Sequence, residues 1–456
     1  MVKNTPAMGW NTWNTFGENI NEELVLSTAE NMVKSGLKDA GYEYVVIDDC
    51  WSLRERDKDG KLVADPEKFP HGMKWLSDKI HAMGLKFGMY SCAGALTCAG
   101  YPSSYEHEFV DAQTFADWGV DYLKYDFCFH SSHLSPSLLY KRMNAAIMAT
   151  GRDILFSACS WGEEGTYEWV HESGADSYRS GTDIRDSWKS IKDIFQLQLD
   201  KQQYNYKGCF NDMDMLVVGM RGKGLAARLA ARGLGGCTDT EYFTHFALWC
   251  MYASPLMLGN DVNNMDAETL KIVTNKDLIR INQDKRCCQP FLINKLNPVL
   301  PELHIEIPTI AKYLDDGKIA IMMCNFTEGK TSWESWFLTE SVGVPESSGK
   351  TLKMRNIITN EETIVKNGIF SKSVEPHGVN VYIAEIIDKK IMPVCLTCKR
   401  TLIPLDISYS LKILGRSSKK LYCKECLRKS LNLTEEDMQN LYEKWKAEGC
   451  MLFQFD

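Results

Sequence analysis

The chain has 456 residues, 44% of them hydrophobic and 25% charged, with a formal net charge of −8. That length exceeds one ordinary core, and the composition is that of a folded globular polypeptide, which excludes extended disorder. The negative balance argues against nucleic acid or another polyanion as a partner of the whole molecule.

The N-terminal MVKNTPAMGW has no apolar signal core, and no run of about 18 apolar residues could cross a bilayer. The expected location is therefore cytoplasmic. Most of the 16 cysteines stand singly in apolar runs, where a thiol behaves as a small buried hydrophobe rather than part of a disulfide scaffold.

From residue 1 to about 290, short β-branched or aromatic runs alternate with helical patterns. The runs are PAMGWNTW, YEYVVIDDC, LKFGMYS, DYLKYDFC, ILFSACSW, SYRSGTDI, CFNDMDML and SPLMLGND. Eight strands separated by helices predict a (β/α)8 TIM barrel over residues 1–290. Helix KWLSDKIHAM ends at Gly84, a C-terminal stop before the third strand. The Gly-, Arg- and Ala-rich segment 219–237 after the seventh strand reads as a loop with a short basic helix; it shapes access or a subunit contact, or is a solvated insertion. Over 291–388 the helical period fades and short strand-like runs predict an antiparallel β-sandwich domain. Residues 389–456, richer in Lys, Arg and Cys, form a third module.

Polar residues gather at the carboxyl ends of the predicted barrel strands. In VDYLKYDFC, alternation puts Lys124, Asp126 and Cys128 on one face, and burying them without partners would be costly. Asp48 and Asp49 end the second run, Arg179 and Asp183 lie at the sixth, and Asp212 and Asp214 at the seventh. A barrel brings all these ends to one mouth. Carboxylates beside Trp10, Trp13, Trp51 and Trp161 suit a sugar, because carboxylates accept from hydroxyls and aromatic faces cover C–H surfaces. No strand end carries the imidazoles of a catalytic metal site; His130 and His133 read as loop, and no Gly-rich phosphate signature follows a strand. Taken singly, each residue has an ordinary structural alternative: Asp48 or Asp49 as a helix cap, Lys124 with Asp126 as a buried ion pair, Trp13 and Met215 as core. Asp212 and Asp214 could be scaffolding.

The stretches GWNTW, IDDCW, GMYS, YLKYDFC, RSGTDIRDSW, NDMDML, SPLMLGND and INQD resemble glycoside hydrolase family 27, the α-galactosidases and α-N-acetylgalactosaminidases, over residues 5 to 385. The resemblance implies a retaining exo-glycosidase on a barrel with a C-terminal antiparallel β domain and no cofactor for catalysis. It makes Asp126 the nucleophile and Asp183 the acid/base, with carboxyls roughly 5 to 5.5 Å apart. It further implies that Asp48 and Asp49 hold the 4- and 6-hydroxyls, that Trp13 is an aromatic wall, that Tyr90 and Lys124 are polar contacts, that Arg179 lies near the 2-hydroxyl, and that Met215 lines the pocket. Cys98 and Cys128 match a cysteine pair beside the pocket that is bridged in secreted members. The partner of Cys50 is missing, so Cys50 is expected to be a free thiol. Many α-galactosidases have glutamate where Ser160 stands, near the sugar C2 substituent, and N-acetylgalactosaminidases have serine. Galactose is the first expectation for the substrate and N-acetylgalactosamine the alternative; a non-hydrolytic sugar sensor is a remote third.

In the tail, Cys395, Cys398, Cys423 and Cys426 form two Cys-x-x-Cys pairs 24 residues apart, resembling a zinc ribbon. A structural zinc is expected, with local disulfides or free thiols as alternatives. Thr434 and Asp437 suggest a helix cap, and Met438, Leu441, Tyr442 and Trp445 a stripe that packs on the module or docks a second subunit in a homo-oligomer.

Overall fold

The computed structural model describes residues 4–199, 201–229, 235–294, 306–329, 332–389 and 393–454. These fall into two compact units, Met1–Glu346 with Thr351–Ile387, and Ser347–Lys350 with Asp388–Asp456.

In the first unit, β1 (Met8–Asn11), β2 (Tyr44–Val46), β3 (Lys86–Cys92), β4 (Tyr122–Asp126), β5 (Leu155–Ala158), β6 (Ser177–Arg179), β7 (Phe210–Asp212) and β8 (Leu256–Leu258) make one parallel sheet. Its order is β7-β6-β5-β4-β3-β2-β1-β8, and a parallel bridge from Leu216 to Leu258 closes it beyond β7. Seven lie within the predicted runs and are shorter than them, while β3 passes its run by one residue, to Cys92. Asp48 and Asp49 stand beyond the end of β2, and Cys128 beyond β4.

Two-residue alternation sorts the side chains. Leu123 and Tyr125 face the surrounding helices, whereas Tyr122 joins Tyr44, Val46, Leu155, Met215 and Met257 inside the barrel. Lys124 and Asp126 continue the Tyr122 row, so their charges emerge on the inner face at the carboxyl end. The interior is narrow: a Cβ on Gly88 would lie 2.7 Å from Val46 Cγ2 and 3.1 Å from Tyr122 Cβ, so only glycine fits beside those side chains. The helix Gly72–Ala82 ends before Gly84, whose φ of +71° is the left-handed stop that the sequence suggests.

An antiparallel sheet of order β14-β13-β16-β11-β10-β9 follows, built from β9 (Phe291–Leu292), β10 (Thr309–Tyr313), β11 (Ile319–Cys324), β13 (Lys350–Asn356), β14 (Glu362–Ile364) and β16 (Val379–Asp388). It is joined by the pair β12 (Trp333–Leu338) and β15 (Ile369–Val374). On β11, Ala320, Met322 and Cys324 pack in the barrel's apolar cluster, while Ile319, Ile321 and Met323 form a second core with Phe337, Leu352 and Tyr382. Burial on both faces accounts for this uninterrupted apolar strand.

Segment 219–237 contains the short helix Gly224–Arg228; residues 230–234 lie outside the described residues. The second unit carries helices Pro404–Leu414, Lys424–Ser430 and Glu435–Ala447. Thr434 and Asp437 form a capping box, and Met438, Tyr442 and Trp445 pack on Tyr409, Leu427 and Phe453 of the same unit. No described helix is long and apolar enough to cross a membrane.

Candidate active site

A cavity of about 70 Å³ opens at the carboxyl end of the barrel strands. Of the residues expected there, Trp13, Asp48, Asp49, Tyr90, Cys98, Lys124, Asp126, Arg179, Asp183 and Met215 all line it.

Lys124 Nζ sits 2.8 Å from Asp48 Oδ2 and 4.0 Å from Asp126 Oδ2. Asp48 Oδ2 also accepts from Asn11 Nδ2 at 2.7 Å. Asp49 accepts from the backbone N–H of Cys50 (2.7 Å) and Ala99 (2.9 Å), which fixes its carboxylate. Adjacent aspartates in a strand would point to opposite faces; both reach the cavity because the chain has left the sheet and turns at Cys50, whose φ is +71°. Burial raises the Asp49 carboxyl above its usual range.

Asp126 is buried and accepts from Phe127 N–H at 2.9 Å. Burial pushes its carboxyl up to about 6, with the Lys124 charge holding it back from going further. Across the cavity, Arg179 Nη2 donates to Asp183 Oδ1 at 3.0 Å and Nη1 lies 2.8 Å from Asp214 Oδ1. Partial burial pushes the Asp183 carboxyl up, but the charge and hydrogen bond of Arg179, with Lys124, outweigh it and hold it below the ordinary range. Asp214, with φ +82°, accepts from the N–H groups of Ile184 (2.7 Å) and Met215 (2.8 Å), tying the segment after β7 to the one that carries Asp183. Asp212 accepts from Asp214 N–H at 2.9 Å and does not line this cavity.

Ser160 does not fit the expectation. It is fully buried, pairs with Thr166 Oγ1 at 2.7 Å and does not line the cavity. The next residue, Trp161, adopts φ +54° and turns its ring into the wall instead. Asn14 and Arg185 also line the cavity and were not indicated by strand alternation, since both lie in segments outside the sheet.

Cys98 and Cys128 are disulfide-bonded, with Cα atoms 5.2 Å apart, joining the segments after β3 and β4 beside Asp126. With both sulfurs in that bond, they and Asp126 do not make a metal site. Cys50 is a buried free thiol, as expected.

In the second unit, the sulfurs of Cys395, Cys398, Cys423 and Cys426 all lie within 4.8 Å of one another, with Cys398 and Cys423 at 3.7 Å. Zinc–thiolate bonds of about 2.3 Å in a tetrahedron put the sulfurs about 3.8 Å apart, so the cluster fits a tetrathiolate ion. Cys423 caps helix Lys424–Ser430, its sulfur accepting from Cys426 N–H at 3.4 Å. Buried Asp406 accepts from Arg400 Nη2 at 3.0 Å and from Lys424 N–H at 2.6 Å, fastening the two Cys-x-x-Cys segments together.

A parallel eight-stranded barrel with acidic and aromatic side chains around one cavity at its carboxyl end, followed by an antiparallel β domain, is the architecture of a glycoside hydrolase. The family described as Alpha galactosidase A matches residues 5–284, and the chain belongs to it. Its relatives include alpha-galactosidase A of Cellvibrio japonicus, 39% identical over 394 residues, which span 83% of this chain and 91% of the relative. Similar solved structures include alpha-galactosidase I of Mortierella vinacea, with TM-score 0.74, 32% identity, and coverage of 85% of this chain and 98% of that one. The α-galactosidase of Saccharomyces cerevisiae with raffinose superimposes with TM-score 0.73 at 29% identity, covering 84% and 98% of the two chains.

Proposed function

We propose that the protein is a retaining exo-α-galactosidase that releases terminal α-linked galactose from small oligosaccharides by double displacement. The observation that carries this reading is the pair Asp126 and Asp183, lining one cavity and each faced by a different cation, Lys124 and Arg179. Asp126 attacks the anomeric carbon while Asp183 gives its proton to the leaving oxygen; Asp183 then takes a proton from water, which releases the sugar from Asp126. Asp48, Asp49, Tyr90 and Lys124 supply acceptors and donors for the sugar hydroxyls. Trp13 and Met215 supply apolar walls.

Trp161 in the wall, with Ser160 turned away, favours galactose over N-acetylgalactosamine, because no small side chain stands there to make room for an acetamido group. Hydrolysis rates of 4-nitrophenyl α-galactoside and 4-nitrophenyl α-N-acetylgalactosaminide test this. Preference for the second would reverse the assignment, and cleavage of neither would leave the sugar-sensor reading.

The four-thiol cluster is assigned a structural zinc ion held by Cys395, Cys398, Cys423 and Cys426. Together with the buried free thiols it suits a reducing, cytoplasmic setting, in which the bond between Cys98 and Cys128 would be the exception.

A further inference from the structure

Arg185 lines the same cavity as Asp126 and Asp183, two residues beyond the latter. Ile184 between them is buried, while Asp183 is exposed and Arg185 half-buried. The segment is held from both sides. Arg185 N–H donates to Ser190 Oγ at 2.9 Å and Ile184 N–H to Asp214 at 2.7 Å. Buried Asp186 accepts from Tyr242 Oη at 2.9 Å and Gly222 N–H at 2.8 Å. Three cations line the cavity, and two of them are engaged: Lys124 with Asp48 and Asp126, Arg179 with Asp183 and Asp214. Among the described residues, the Arg185 guanidinium enters no ion pair or hydrogen bond, which leaves five N–H donors and a full charge open at the cavity wall.

We propose that Arg185 forms the leaving-group subsite of this enzyme and takes an aglycone that carries an anionic oxygen, a carboxylate or a phosphate. A general acid must stand at the glycosidic oxygen, so the side chain that follows it along the same wall faces the departing group rather than the galactose ring. The inference therefore rests on the proposed role of Asp183. Elsewhere in the cavity an anion would meet the four carboxylates of Asp48, Asp49, Asp126 and Asp214; beside Arg185 it meets the one lining cation without a partner. The Arg185 charge also helps hold Asp183 ionised in the free enzyme. An anionic aglycone neutralises that charge and so favours the protonated Asp183 that donation requires.

The test compares 4-nitrophenyl α-galactoside with 3-carboxy-4-nitrophenyl α-galactoside on the full-length enzyme. The wild type is expected to favour the carboxylated substrate through KM. Arg185→Gln should lower kcat/KM for it about tenfold and for the neutral substrate less than about twofold, the size of one partly exposed charge-assisted hydrogen bond. Arg185→Lys, which keeps the charge but not the planar fork, should retain part of the preference. A measurement that needs no variant is product inhibition: 5-hydroxy-2-nitrobenzoate should inhibit the wild type more strongly than 4-nitrophenol. Equal treatment of the two substrates by the wild type, equal inhibition by the two phenols, or an equal loss on both substrates in Arg185→Gln would overturn the proposal while leaving the galactosidase reading intact. A wild type that cleaves neither substrate overturns both.

Discussion

Arg179 holds Asp183 and Asp214 at once, at 3.0 and 2.8 Å, through the two ends of one guanidinium. Because this bridge keeps Asp183 ionised while burial raises Asp126 to about 6, the single proton that the pair needs rests mainly on Asp126 when the site is empty. The arrangement that the proposed mechanism uses, Asp126 bare and Asp183 protonated, is then the minor form of the singly protonated pair. What the rate follows is the pair's proton count, not either residue alone. Above the upper value no proton remains, so kcat/KM should decline as pH rises through about 6. It should decline again on the acid side, where both carboxyls are protonated. A plateau extending to pH 8 in kcat/KM would show that the pair is not raised in this way.

Asp126→Asn should abolish turnover yet give a protein at least as stable as the wild type near neutrality. The folded carboxyl titrates at about 6, above the unfolded value of about 3.9, so ionising it costs the folded state. The linkage sign follows: the wild type is relatively most stable below the unfolded value and loses that advantage as pH rises through the folded one. Asparagine avoids the penalty, on the order of 3 kcal/mol at pH 7.5, less whatever is lost with the Lys124 contact. Urea unfolding at pH 7.5 and at pH 4 should show the variant's advantage at the higher pH and its disappearance at the lower. A variant less stable at both values would contradict the burial argument.

Asp183→Ala should separate the two chemical steps. A sugar leaving group needs the proton and should lose about 10²- to 10⁴-fold in kcat/KM, whereas a 2,4-dinitrophenyl group leaves without one and should lose far less. Equal losses on the two substrates would remove Asp183 from the acid/base role.

The catalytic face was legible wherever strand period governs direction. Tyr122, Lys124 and Asp126 share a row because they are two apart in β4, and the barrel turns that row inward. Legibility ended where the backbone leaves the sheet. Ser160 is turned away from the cavity just before Trp161, whose positive φ no apolar pattern announces. Arg185 lies in a segment without period, placed by its own N–H bond to nearby Ser190 and by the bond of neighbouring Ile184 to Asp214, 30 residues on. The paired Cys-x-x-Cys motifs signalled the cluster in the tail, but Asp406, which ties the two segments together through Arg400 and Lys424, reads in sequence only as a first-turn acid of a helix.

That tie gives the zinc assignment a second handle besides the ligands. One zinc per chain is expected by elemental analysis, and Cys395→Ser should lose it. Four thiolates around a divalent ion leave two surplus negative charges, which Arg400 offsets from the position that buried Asp406 fixes. Asp406→Asn keeps the shape but weakens that hold and should speed zinc release to a chromogenic chelator about 10-fold or more, the usual scale for an outer-shell partner. Arg400→Lys should fall between the variant and the wild type. Since, among the described residues, only four fully buried apolar side chains, Tyr409, Leu427, Met438 and Phe453, form the cluster over which the helices Pro404–Leu414 and Lys424–Ser430 pack, stripping the metal should also remove their circular-dichroism signal. Zinc release that is indifferent to Asp406, or a tail that keeps its helices without metal, would show that the thiols are not what holds this unit together.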